Sequence, residues 1–149
     1  MATETALKSP SIDVMEEDQK KINRFACLIS KRNDIQTELK DLKRQIENIE
    51  EASGELILAD DEDFEDLDSD DKSHEKSSVL HFKIGKIFVP VTKDDCEENL
   101  ERKKKELEGK ILKLKPVLSQ IQDELSSLKA NLYAKFGDNI GLDEAPVDD

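Results

Sequence analysis

The chain has no tryptophan, and aromatic residues fill only 4% of its 149 positions. A compact α-protein of this length normally carries more side-chain volume, so an ordinary globule is disfavoured. Five glycines form no GxGxxG or Walker loop, which leaves nucleotide binding without support. Two cysteines and two histidines are the only thiol and imidazole groups, and Cys27, Cys96, His74 and His81 lack zinc-site spacing. No apolar run is long enough to span a membrane, and no secretory or transit pattern is present; the chain is expected to be soluble and intracellular.

What the chain has in abundance is charge. Charged residues make up 40% and hydrophobic ones 36%, the balance of a long helical coil with a narrow apolar seam and a wet remainder. The net charge of −13 is unevenly spread. Residues 1–58 carry 12 acids and 9 bases, residues 59–78 carry 10 and 2, residues 79–136 carry 9 and 12, and residues 137–149 carry 5 acids alone. The acidity therefore sits in one loop and one tail, and nucleic acid or an anionic membrane is not an expected ligand of the body. The carboxylates fall on solvated helix faces or in the acidic stretch, where nothing would tune their pKa, so no catalytic constellation emerges and no enzyme is expected. Cys96 lies near a helix start that could lower its pKa, but an incidental free thiol is the favoured reading.

Residues 1–12 read as a flexible, polar N-terminus. Asp13-Val14-Met15-Glu16 has the form of a capping box, which predicts a helix over 13–58 with Glu16, Glu17 and Asp18 in its first turn. Ile35, Leu39, Leu42, Ile46 and Ile49 step by 4, 3, 4 and 3, a heptad seam; Ile22, Phe25, Leu28 and Ile29 form a looser face before it. Residues 59–78 read as an acidic, disordered loop. A calcium loop counted from Asp61 fails there, because the turn glycine is missing and Lys72 stands where a glutamate is needed.

Residues 79–91 are the one stretch with strand chemistry. Val79–Lys83 is expected to pair with Lys86–Val91 across Ile84-Gly85, with Gly85 free to take positive φ. Leu80, Phe82, Ile84, Ile87, Phe88, Val89 and Val91 supply its apolar surface, and Pro90 belongs at an edge. A lone two-stranded hairpin is marginal in water and its edges invite partners, so the chain is not expected to be a monomer.

A second helix over 92–136 opens on Thr92 as N-cap, and Gly137 is a natural C-cap before an acidic tail over 137–149. Its seam runs Leu107, Ile111, Leu114, Leu118, Ile121, Leu125, Leu128, Leu132, with Pro116 at an outward f position. Both helices come to roughly 45 residues, or about 65 Å. Equal lengths about a central connection predict an antiparallel coiled-coil hairpin. Leu42 would face Leu107, Ile49 Leu100, Ile35 Leu114 and Leu28 Ile121, every pair of numbers summing to 149. That arrangement puts Cys27 and Cys96 roughly 40 Å apart, too far for a disulfide. Ile22, Phe25, Ile29, Leu132, Tyr133 and Phe136 lie at the helix ends remote from the hairpin. No third element is foreseen to cover them, which makes all six candidates for an exposed binding surface, with Leu132 also placed to close the seam.

Four stretches carry a family resemblance: Glu17-Asp-Gln-Lys-Lys-Ile-Asn-Arg-Phe25, Glu55-Leu-Ile-Leu-Ala-Asp-Asp61, Ile84-Gly-Lys-Ile-Phe88 and Leu132-Tyr-Ala-Lys-Phe-Gly-Asp-Asn-Ile140. With them the chain resembles a β-type subunit of prefoldin, the chaperone also called GimC, from about residue 14 to 142. Its acidic loop is longer than that family leads one to expect. The resemblance implies a hexamer of two α-type and four β-type subunits, in which hairpins join as β-barrels. Coil tips would hold unfolded chains such as actin and tubulin and pass them to the cytosolic chaperonin without ATP or a cofactor. It implies a cytoplasmic location, with a nuclear pool compatible. The competing reading is a coiled-coil scaffold whose acidic loop binds a basic partner such as histone tails, marked by strong salt dependence.

Overall fold

A computed structural model describes residues 12–62 and 80–142, with nothing given for the side chains of 59–62. The expectations placed on residues 1–11, 63–79 and 143–149 lie outside the described residues. They comprise most of the N-terminal segment, the body of the acidic loop with its histone-tail reading, and the end of the acidic tail.

The element order is α1 (Glu16–Glu62), β1 (Leu80–Ile84), β2 (Ile87–Val91) and α2 (Lys93–Phe136), followed by a short 3-10 turn at Gly137–Asn139. The fold class is the expected one: mainly helical, two long helices and one small antiparallel hairpin.

The helix ends obey cap chemistry rather than seam chemistry. α1 starts at Glu16, not Asp13, because the cap that forms is centred on Met15. The Asp18 carboxylate accepts the Met15 N–H at 3.0 Å, so the third helical residue satisfies the N-cap donor, the returning half of a capping box. The acidic first turn then lies over the positive end of the helix dipole. At its other end α1 continues to Glu62, four residues beyond the expected limit and into the start of the acidic stretch. Leu56 is buried, and the backbone ladder needs no further apolar partner to run one more turn. α2 opens as expected: the Asp95 N–H donates to Thr92 Oγ1 at 3.3 Å, and the Thr92 hydroxyl donates to Asp95 Oδ2 at 2.7 Å. Pro116 stays inside α2 and exposed, so its ring faces away from the packed side.

The chain divides into two compact units. The terminal unit comprises residues 1–36 and 116–149, and the hairpin unit residues 37–115. In the terminal unit α1 and α2 run antiparallel: Arg24 Nε donates to Glu124 Oε1 at 2.7 Å, while Asp18, earlier in α1, meets Lys135, later in α2. Its core holds Phe25, Leu28, Ile121, Leu125, Leu132, Phe136 and Leu142, and places Leu28 with Ile121 as the heptad register requires.

In the hairpin unit the core is Leu42, Leu107 and Ile111, with Leu39, Ile46, Ile49 and Leu114 packed on it. Leu42 thus meets the α2 turn that the seam assigned to it. Lys104 Nζ reaches Glu50 Oε1 at 2.7 Å across the same pair of helices.

Strand register is Leu80↔Val91, His81↔Pro90, Phe82↔Val89, Lys83↔Phe88, Ile84↔Ile87. The loop is therefore Gly85-Lys86, one residue later than Ile84-Gly85. Gly85 has φ 62° and, among the described residues, no non-glycine residue has positive φ, the sign pattern of a type II′ turn, which needs glycine at its first central position. Ile84 is β-branched and could not occupy that position without strain, so the strand keeps it and the turn moves on.

Candidate functional site

Two groups of apolar residues were singled out by sequence, one in each unit, and the structure treats them differently.

In the terminal unit, Phe25 is 5% exposed, Leu132 1% and Phe136 6%; Ile22, Ile29 and Tyr133 are half-buried against the same cluster. The six residues come together as expected, but they do not form the bare surface foreseen for them. The expectation that no third element covers them fails. Gly137 takes φ 52°, which reverses the chain after α2, and residues 140–142 fold back so that Leu142 becomes 8% exposed and Ile140 packs at the edge. The Leu142 N–H donates to the Tyr133 hydroxyl at 3.3 Å. Ile140 and Leu142 fall in the expected tail over 137–149, a stretch without helical periodicity. Their signal was a different one: apolar residues just past a C-cap glycine, positioned to contact the last helical turn.

Asp18 is the one buried polar residue among the described residues, at 4% exposure. It pairs with the Lys135 ammonium and accepts the Met15 N–H. The Lys135 hydrogen bond, then that of Met15, holds its carboxyl below the usual range against the opposing effect of burial. Lys135 Nζ also lies 5.5 Å from the Phe136 ring centroid, so one lysine ties the α1 start to the aromatic end of α2. Sequence reasoning placed Asp18 only in the helix dipole and missed the pair, since residues 117 positions apart give no local pattern. On the flank, Glu124 is likewise held low by Arg24, through two hydrogen bonds of 2.7 and 3.0 Å. Both side chains are wet, so the pair is a modest, salt-screened contribution.

In the hairpin unit the register collects Leu80, Phe82, Ile84, Ile87, Val89 and Val91 on one face. Leu80, Phe82, Val89 and Val91 are half-buried, whereas Ile84 is 55% and Ile87 64% exposed. Part of that face lines a cleft of about 220 Å³ with Asn99, Arg102 and Lys103 of α2, and Lys103 Nζ sits 5.9 Å from the Phe82 ring centroid. The other face carries His81, Lys83, Phe88 and Pro90, all exposed, with Phe88 at 64%. Counting alternately from the Ile84↔Ile87 pair that closes the turn, His81↔Pro90 is a non-hydrogen-bonded pair, so Pro90 costs the ladder nothing. Both strands of this two-stranded sheet are edges. Ile57 and Leu58, 61% and 65% exposed near the end of α1, add apolar surface that the sequence reading passed over. Two adjacent apolar residues beyond the buried Leu56 were the available sign.

Cys27 is exposed and Cys96 partly so, both free thiols as expected. Among the described residues no cluster of His, Cys, Asp or Glu could hold a metal ion, and no helix is long and apolar enough to cross a membrane.

The fold defines a class: helix–hairpin–helix coiled-coil proteins with one small two-stranded sheet between two long helices. The profile of the family described as prefoldin subunit matches residues 19–139. Human prefoldin subunit 4 is 33% identical over 142 residues, covering 95% of this chain and 96% of the relative. Similarity extends to a probable prefoldin subunit 4 of Caenorhabditis elegans, 35% identical over 130 residues with 87% and 93% coverage. Prefoldin subunit 4 of Saccharomyces cerevisiae is 32% identical over 127 residues, with 85% and 87% coverage. The chain belongs to the prefoldin subunit family. That family consists of non-enzymatic co-chaperones whose subunits assemble with one another.

Proposed function

We propose that the chain is a β-type subunit of a hexamer of two α-type and four β-type prefoldin subunits. In this reading the hairpin is the assembly element, and the terminal unit is the part of a coil that holds unfolded or nascent polypeptide. Clients of the actin and tubulin kind are then delivered to the cytosolic chaperonin without ATP, in the cytoplasm and, where the complex enters it, the nucleus.

The observation that carries the reading is the exposure of Ile84, Ile87 and Phe88 on a two-stranded sheet with open edges. In a chain that is 40% charged, such a surface calls for strands from other subunits. The apolar cluster of the terminal unit supports the client-binding part, since holding a non-native chain needs apolar contacts, and several subunits acting together supply avidity.

Native mass spectrometry of the endogenous complex tests the assembly. The expected result is a six-subunit particle that fails to form when Phe88 and Val89 are both replaced by aspartate. A particle of other stoichiometry, or one indifferent to that double change, would refute it. Suppression of client aggregation by the assembled complex tests the holding role. Phe25→Ser and Phe136→Ser are poor probes of it, because both rings are buried and their loss would loosen the unit itself.

A further inference from the structure

The segment that covers the terminal cluster has features of a ligand rather than of a wall. It is joined to α2 through Gly137, whose φ of 52° lets the chain reverse. Past the short turn, Ile140 has φ −121° and ψ 127°, an extended backbone. Ile140 and Leu142 are the covering side chains, while Gly141 between them is exposed, so the segment touches the cluster with alternate residues as a strand does. Its hydrogen bond to α2 is made by a backbone group, the Leu142 N–H, to the Tyr133 hydroxyl. Two apolar side chains two residues apart and one main-chain donor are features that almost any non-native polypeptide can present.

We propose that residues 140–142 occupy the polypeptide-binding cleft of the terminal unit as an internal stand-in. When they leave, the cleft accepts extended segments of non-native chain that carry apolar side chains at positions i and i+2. This rests on the client-holding reading above and names the site for it. Phe25, Leu132 and Phe136 belong to the buried cluster that the segment covers, and its departure would bare that cluster as the floor of the cleft. The Tyr133 hydroxyl takes the N–H of the second apolar residue and so reads main chain rather than sequence. Recognition is then permissive for side-chain identity but rejects a second apolar residue that has no N–H. A short, non-helical covering segment belongs among the parts of a fold that open locally without global unfolding. The intramolecular competitor scales the apparent affinity by the fraction of time that it is undocked.

The experiment uses the full chain within its assembled complex and two probes. One is a fluorescein-labelled peptide copying residues 137–142, with a twin N-methylated at its leucine; the other is reduced, carboxymethylated lactalbumin, a permanently unfolded protein. Fluorescence anisotropy should show the I140S/L142S double variant binding both the unmethylated peptide and the unfolded protein at least about 5-fold more tightly than the wild type. The methylated twin should bind the double variant more weakly than the plain peptide, and Tyr133→Phe should erase that difference. Unchanged or weaker binding by a double variant of native helicity would overturn the proposal.

Should the double variant lose helicity, amide exchange in the wild-type complex decides. Adding the unfolded protein should speed exchange of the Leu142 N–H that bonds Tyr133, and unaltered exchange there would overturn the proposal. A wild-type complex that binds no unfolded protein would sink the client-holding reading itself; binding with Leu142 still protected defeats only the displacement.

Discussion

The two units handle their apolar residues in opposite ways. In the terminal unit the chain covers its own: Leu132 is 1% exposed and Leu142, from beyond the helix, closes over the cluster. In the hairpin unit Ile84, Ile87 and Phe88 stand more than half exposed on strands that have no further neighbour in the sheet. A helix pair can finish its core with a few residues of returning chain, because a helix satisfies its own backbone. A two-stranded sheet differs, because its outward N–H and C=O groups are left to water or to another strand. The terminal unit is therefore closed within the chain, whereas the hairpin keeps open edges and exposed apolar residues.

The largest expected effect tests closure. Leu132→Ala should cost about 2–5 kcal/mol in urea unfolding of the full chain, the range for a fully buried leucine. A loss below about 1 kcal/mol would mean that the terminal cluster is no packed core.

Leu142→Ala should cost clearly less despite similar burial, since the loss is bounded by the free energy of undocking residues 140–142. Equal costs for the two leucines would make the returning segment an integral part of the unit.

Acid should act on the same region. The folded carboxyl of Asp18 is held below its ordinary value by Lys135. The stability it contributes is therefore present above the unfolded value near ~4 and is lost as pH falls through the folded one. Thermal melts of wild type and Asp18→Asn should differ at neutral pH and converge as pH falls below about 4. A gap that persists undiminished in acid would remove the charge pair from the account.

The smallest effect belongs to the hairpin. Phe88→Asp should alter the stability of the chain on its own by no more than about 0.5 kcal/mol, because the ring touches mainly solvent. A drop of several kcal/mol would mean that Phe88 is spent on the chain's own fold and would erase the contrast between the units.

Much of this was readable from residue order, for stated reasons. Heptad steps placed Leu42 with Leu107 and Leu28 with Ile121, since a 3.5-residue repeat leaves one seam to bury. Thr92 as a cap and Gly85 as the turn glycine followed from local chemistry. The errors cluster where a local signal had a remote competitor. Asp13 has the form of an N-cap, yet Asp18 binds the Met15 N–H and is itself drawn to Lys135 at the far end of the sequence. The turn moved by one residue because cross-strand pairing of Ile84 with Ile87 decides the register. Ile140 and Leu142 passed for tail because two apolar residues without periodicity look like solvent-facing chain.

Residue order by itself determined the two helices, their seams and one strand pair between them, because each of these is written in spacings of a few residues. Which apolar residues stay bare was decided only by the tertiary structure. Phe25 and Phe136 are as apolar as Phe88, and what separates them is whether the chain has a segment within reach to cover them. A glycine at φ 52° supplies one after α2, and nothing among the described residues supplies one for Phe88.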